Sequence, residues 1–356
     1  MTTLNNLQKI KKLDSGRVLD SIEALGAQIS QAWQEVGDLK LPATFKNFDK
    51  IVLNGMGGSA LGADVIRSLF ADRLKAPLIV INSYQPPKFL DGKTLYIASS
   101  YSGTTEEVIY SLAQAKKKQA KIFVIANGGW LGELVGRKSV SGYVFNPRFN
   151  PSGQPRMGLG YSLGAQLGLL KKVGLLDIAE QEIKDSLTGL AKLHRKFGAS
   201  NPEKNNPAKK LAVFLRNKTA LAVAAEFLSG NAHVFANQIN ENAKNFADYF
   251  LISELNHHLL EGLSFPRSNA GHLAFVFFDS RLYFPLNQKR LRITRDVAAK
   301  NKIKSFYYRL SGPDKLSQVL EMLVFGSYAS FYLAVLNNVN PSKIPWVDYF
   351  KAKLKA

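Results

Sequence analysis

Cysteine is absent from all 356 residues. With it go disulfides, thiolate metal sites and a cysteine nucleophile, and the composition suits a reducing cytoplasm. Histidine is scarce. Of the five, only His257 and His258 are adjacent, while His194, His233 and His272 are scattered, so no metal-ligand cluster is expected. Acidic residues are in deficit: 27 Asp and Glu against 47 Lys and Arg leave a formal net charge of +20. Such an excess can serve nucleic acid, an anionic membrane surface or anionic small substrates. The cations are spread along the chain, densest at Lys9/Lys11/Lys12, at Lys116–Lys118 with Lys121, and at Lys351/Lys353/Lys355. No motif for reading nucleic acid is visible, so the expectation is a solvated basic surface with no nucleic-acid partner. No run of about 18 apolar residues stands out, and no membrane span is expected. Met1 to Asp14 is polar and lysine-bearing, without the apolar core of a secretion signal.

What is present is a 46% hydrophobic composition, ample for a large core, in a length that suggests two domains. The first half alternates apolar strands with amphipathic helices. Strands are expected at Ile51–Asn54, Leu78–Asn82, Leu95–Ser99 and Ile122–Ala126, with a fifth near Tyr143–Phe145. That alternation predicts an α/β fold with a doubly wound parallel sheet covered on both faces. The Pro/Gly-marked stretch Asn150–Arg156 closes this unit, placing the domains at 1–160 and 161–356. Tyr161 to His194 reads as helical. A second α/β unit follows, with strands expected at Leu211–Leu215, Tyr249–Ile252, Leu273–Asp279 and Lys304–Arg309, and helices near Asp296–Asn301 and Lys315–Leu336.

In parallel sheets ligands bind at the carboxyl ends of the strands. Two Gly/Ser/Thr-rich loops fall at that edge. Gly55-Met56-Gly57-Gly58-Ser59 joins a strand to a helix. It suits either a tight turn or an anion held on helix N–H groups, and it is neither a dinucleotide fingerprint nor a P-loop. Ser99-Ser100-Tyr101-Ser102-Gly103-Thr104-Thr105-Glu106-Glu107 carries more hydroxyls than helix capping uses, a composition suited to a phosphate monoester. Downstream, Asn240-Glu241-Asn242-Ala243-Lys244 and Glu254-Leu255-Asn256-His257 place a carboxylate and an imidazole in one short window. Such groups move protons between carbons and open sugar rings. Taken singly, Glu241 reads first as a solvated helix glutamate, His257 as a structural histidine and Arg156 as a surface ion pair.

Taken together and in order, Gly55–Ser59, Ser100–Glu107, Pro155-Arg156-Met157-Gly158-Leu159-Gly160-Tyr161, Asn240–Lys244 and Glu254–His257 resemble the bifunctional phosphoglucose/phosphomannose isomerases, from about Leu53 to the C-terminus. The resemblance implies two tandem sugar-isomerase (SIS) domains, each an αβα sandwich. It implies a metal-independent aldose–ketose isomerase, needing no cofactor, that links glucose 6-phosphate and mannose 6-phosphate to fructose 6-phosphate through a cis-enediolate. Ser100, Ser102 and Thr105 would hold the phosphate, with Gly58 and Ser59 completing the cradle. Arg156 would stabilise the enediolate, Glu241 would shuttle the proton, and His257 would assist ring opening with Lys351 beside the ring oxygen. Ser342, where the family often has Thr, would help position water or substrate. The resemblance also implies a homodimer in the cytoplasm. Departures are Val234-Phe235-Ala236-Asn237 before Gln238, Thr104 in the second loop, and His258 where the family has Asn; they bear on sugar preference. A non-catalytic sugar-phosphate sensor is the alternative reading of the same superfamily.

Overall fold

The computed structural model describes residues 3–355. Of the expected units 1–160 and 161–356, only Met1, Thr2 and Ala356 lie outside the described residues. Two short helices, Leu7–Leu13 and Val18–Glu23, lead into α1 (Leu25–Asp38). The first sheet follows: β1 (Lys50–Asn54), α2 (Gly58–Leu69), β2 (Leu78–Ile81), β3 (Thr94–Ser99), α3 (Glu106–Lys117), β4 (Lys121–Ala126), α4 (Gly129–Gly136) and β5 (Ser141–Val144). Its strands run in the order β2-β1-β3-β4-β5, all parallel. Helix α5 (Leu159–Lys172) packs on α1 and α2 against this sheet.

The second sheet is introduced by α6 (Pro207–Leu215). Then come β6 (Thr219–Ala225), α7 (Ser229–Ala243), β7 (Ala247–Ile252), α8 (Leu255–His258), β8 (Leu273–Asp279), α9 (Pro285–Lys300), β9 (Lys304–Arg309), α10 (Lys315–Leu336) and α11 (Pro345–Lys355). Its order is β7-β6-β8-β9, again all parallel. Residues such as Leu53, Ile97, Phe275 and Phe277 are fully or almost fully buried in β1, β3 and β8, as expected of strands covered on both faces. Helices α2 and α7 pack on each other and join the two halves, and one continuous core runs through both.

Three expectations need correction. Leu211–Leu215 is not a strand but the end of α6. Asn206 caps that helix by accepting from the Ala208 and Lys209 N–H groups, and Pro207 fits its first turn, where no N–H is needed. The strand is the Ala-rich run Thr219–Ala225. Tyr161–His194 is three helices, interrupted at Gly174 (φ 74°) and Gly189. The helix read near Asp296–Asn301 begins at Pro285. A fourth concerns the apolar runs: α10 is long and apolar enough to cross a membrane, yet 94% of its most apolar 18-residue window is buried inside the fold. It packs against α6 and α7 as a core helix.

Candidate active site

Strands β1 and β3 are neighbours, and the chain leaves them in opposite directions, toward β2 and toward β4. Their carboxyl ends therefore open a crevice at a topological switch point. Both expected phosphate loops line it. The Ser100 and Thr105 hydroxyls are 2.7 Å apart, and the Gly103 N–H donates to Ser100 Oγ at 3.1 Å. The Ser102 and Thr104 hydroxyls are 3.0 Å apart. Ser59 Oγ accepts from the Tyr101 N–H at 2.9 Å, tying the first loop to the second. Thr105 is the N-cap of α3 and its side chain makes no capping bond. The first N–H groups of α3 therefore have no partner within the helix and point, with the positive end of its dipole, into the crevice. Gly103 holds the loop at φ 70°. A Cβ there would stand 1.8 Å from the Gly128 carbonyl oxygen, so only glycine fits.

The crevice continues onto Arg156. A Cβ at Gly58 would lie 3.0 Å from Arg156 Cα and 3.1 Å from the Pro155 oxygen, so the first loop rests directly on the Arg156 turn. The Arg156 side chain is 2% exposed, and four hydrogen bonds hold its guanidinium. Nε donates to Asn242 Oδ1 at 2.7 Å and Nη1 to Gln154 Oε1 at 3.0 Å. Nη2 donates to the carbonyls of Pro341 at 2.7 Å and Ser342 at 3.0 Å. Glu241, in the last turn of α7, brings Oε2 to 3.6 Å from Nη1. A buried charge held by four hydrogen bonds is fixed in direction, and its remaining Nη1 N–H suits stabilising negative charge that develops during a reaction.

Burial drives the Glu241 carboxyl above the ordinary glutamate range, against the opposing pull of Arg156, Lys244 and Lys351. It is thereby a stronger base than a solvated glutamate. Lys351 itself is exposed on α11, with its charge felt at Glu241. Lys244 is half-buried, and burial brings its ammonium down to about 8. Ser342 is buried, but its hydroxyl donates to Asn340 Oδ1 at 2.7 Å. What it offers Arg156 is its main-chain carbonyl.

The structure brings Gly58, Ser59, Ser100, Ser102 and Thr105 together at the crevice, and Arg156, Glu241 and Ser342 together beside it. It does not bring His257 to Glu241. Helix α7 runs back along the parallel sheet, so Glu241, near its end, sits at the amino-terminal edge of β7. His257 comes after β7 has crossed the sheet. A six-residue strand separates the two by roughly 17–20 Å. The His257 side chain is exposed and, among the described residues, makes no hydrogen bond or ion pair. Sequence reasoning assigned no role to Gln154, Asn242 or Lys244. All three stand within or beside the quoted motifs; only folding shows Gln154 and Asn242 holding the guanidinium.

Residues 204–354 match the family described as bacterial phospho-glucose isomerase C-terminal SIS domain. The chain is 34% identical over 347 residues to the bifunctional phosphoglucose/phosphomannose isomerase of Caldicellulosiruptor bescii, covering 95% of this chain and 98% of that one. It is 28% identical over 312 residues to the Thermoplasma volcanium protein of the same name, covering 86% of this chain and 92% of that one. Among solved structures, a hypothetical protein from Thermus thermophilus superposes with a TM-score of 0.77 at 18% identity, covering 98% of this chain and 93% of that one. That likeness speaks for the fold. The two parallel-sheet units are tandem SIS αβα sandwiches.

Proposed function

This chain belongs to the bifunctional phosphoglucose/phosphomannose isomerase family and is a sugar-phosphate isomerase, and from that premise we propose the substrates, the residues and the course of the reaction. The substrates are glucose 6-phosphate and mannose 6-phosphate, and the common product is fructose 6-phosphate. The phosphate binds in the crevice of the two loops, on Ser100, Ser102, Thr105, Ser59 and the N–H groups of Gly58 and the start of α3. Binding at that end supplies energy that positions the reacting carbons. After the ring opens, Glu241 takes the proton from C2 of the aldose. The electron pair moves onto the carbonyl oxygen and leaves a cis-enediolate facing Arg156. The O2 hydroxyl proton passes to O1 while Glu241 returns the carbon-bound proton to C1, so that O2 becomes the carbonyl oxygen of the ketose. In reverse, return of the proton to either face of C2 gives glucose or mannose 6-phosphate.

The observation that carries this reading is the pair Arg156–Glu241. A buried cation held by four hydrogen bonds lies 3.6 Å from a carboxylate made more basic by burial, directly against the phosphate loop. The pair supplies both base and oxyanion stabiliser from side chains, so the proposed reaction needs no metal.

Ring opening is assigned to His257 and Lys351. Because His257 and Glu241 of one chain lie at opposite edges of the second sheet, the reading requires His257 to come from a second copy in a homodimer. Helix α11 carries Lys351 and exposes Trp346, Tyr349, Phe350 and Leu354, an apolar surface suited to such contact. A cysteine-free chain of this kind suits the cytoplasm.

The test is a coupled assay of purified protein in EDTA, following fructose 6-phosphate formed from each aldose separately. Turnover of both is the expected result. Turnover of one narrows the substrate, and turnover of neither with sugar phosphate still bound favours a sensor.

A further inference from the structure

Lys244 ends α7 in the left-handed region, at φ 51°. Glycine or asparagine is the usual choice there, and a longer side chain is strained. The strain is accompanied by a specific placement. Lys244 Nζ donates to the carbonyls of Asn242 at 3.1 Å, Asn340 at 2.7 Å and Pro341 at 3.4 Å. An ammonium has three protons, and here three carbonyls meet them. The Pro341 oxygen also accepts from Arg156 Nη2, so the two cations share one acceptor. Among the described residues Lys244 has no carboxylate partner within salt-bridge distance, although half-burying a charge is costly. The charged groups facing it are Arg156, which pushes its proton off, and Glu241, which retains it. From α11, Asp348 acts on Arg156 and Lys351 on Glu241.

We propose that Lys244 is a positioning residue for the isomerisation: its ammonium ties the end of the Glu241 helix to the 340–342 segment and so fixes the carbonyls that aim Arg156 at the reacting carbons. This rests on the reading of the site given above. Two cations held side by side with one carboxylate leave a local excess of positive charge, which the enediolate neutralises and the uncharged open sugar carbons do not. The contribution of Lys244 therefore falls on turnover rather than on ground-state binding.

The experiment compares wild type, K244M and K244R in the EDTA assay. It adds the affinity for an aldonic acid phosphate, whose planar carboxylate imitates the enediolate. In K244M, kcat falls about 100-fold with KM within about threefold, and affinity for the aldonate phosphate falls with kcat. The wild-type rate declines as pH rises through about 8, where the ammonium loses its proton. In K244R, whose guanidinium does not titrate there, that decline moves to higher pH. An active wild type beside a K244M of unchanged kcat, or a K244M that loses kcat and substrate affinity equally, overturns the role of Lys244 alone. Should K244M not fold, the pH profile of K244R decides, and an unshifted alkaline limb overturns the proposal. A wild type that turns over neither aldose overturns the underlying reading and, with it, this one.

Discussion

Asn242 sits next to Glu241 in the chain and holds Arg156 through Nε at 2.7 Å, while its own amide donates to Ser330 Oγ at 3.0 Å. The proposed base and the proposed oxyanion stabiliser are thus set relative to each other by one fully buried side chain. Asn242→Ala leaves the buried Arg156 Nε without its acceptor. The expected cost is about 1–3 kcal/mol in unfolding free energy, with a fall of 10- to 100-fold, roughly, in kcat as the guanidinium loses its aim. Denaturant unfolding and steady-state kinetics on one preparation check both. Full activity in a destabilised variant would confine Asn242 to folding.

Glu241→Gln separates binding from chemistry. The amide keeps the shape and leaves the other contacts of Arg156 intact, but it cannot accept a carbon-bound proton. The variant should bind hexose 6-phosphates with near wild-type affinity while kcat drops by about 10²–10⁴. Stability moves the other way. A carboxyl whose pKa is raised on folding contributes stability that is present below its unfolded value and lost as pH rises through its folded value. Above its folded value the charged Glu241 is therefore a burden on the fold, and there the Gln variant should melt no lower than wild type. A clear loss of melting temperature would mean that the ion pair with Arg156 outweighs burial.

The parts of the molecule legible in the sequence are those fixed by short-range chemistry. Leu273–Asp279 and Lys304–Arg309 are strands because aromatic and β-branched runs of that length fit a pleated sheet. The Ser100–Thr105 loop could be read because hydroxyls, glycine and a helix start are adjacent in the chain. Leu211–Leu215 misled because a short apolar run fits helix and strand equally, and the Asn206-Pro207 start signal had to arbitrate. Arg156 was recognisable only by resemblance: its partners Asn242 and Pro341 lie 86 and 185 positions away. The separation of His257 from Glu241 was hidden for the same kind of reason. It depends on the opposed directions of α7 and β7, whereas in sequence the two residues look like neighbours.

Lys209 offers a pH signature independent of the active site. Its side chain is fully buried, with Nζ on the Ala199 carbonyl at 2.8 Å and 5.4 Å from the centre of the Tyr332 ring. Burial brings its pKa down to about 8, with Glu203 opposing. A depressed lysine means that the unfolded chain binds more protons across the window, so stability rises with pH from about 8 toward the unfolded value and is lost again as pH falls back to about 8. A difference on the order of 3 kcal/mol accumulates over that span. Unfolding free energies of wild type and K209M between about pH 7.5 and 10 should diverge upward for the wild type. Parallel curves would show that Lys209 keeps an ordinary pKa. Lys244 titrates in the same range, and the comparison with K209M cancels it.

The placement of His257 gives the sharpest test of assembly. If each site takes Glu241 from one copy and His257 from its partner, E241Q and H257A homodimers are both inactive, for different halves of the same site. A mixed dimer holds one site with both lesions and one with neither. Random pairing of equal amounts makes half the dimers mixed, so unfolding and refolding the two inactive variants together should restore roughly a quarter of the wild-type activity per chain. Each variant refolded alone should stay inactive. No recovery in the mixture, with dimers demonstrated by sedimentation, would mean that His257 does not complete the partner's site. Recovery would also explain why the histidine proposed for ring opening stands exposed on an isolated chain, at the far edge of the sheet from the proposed base.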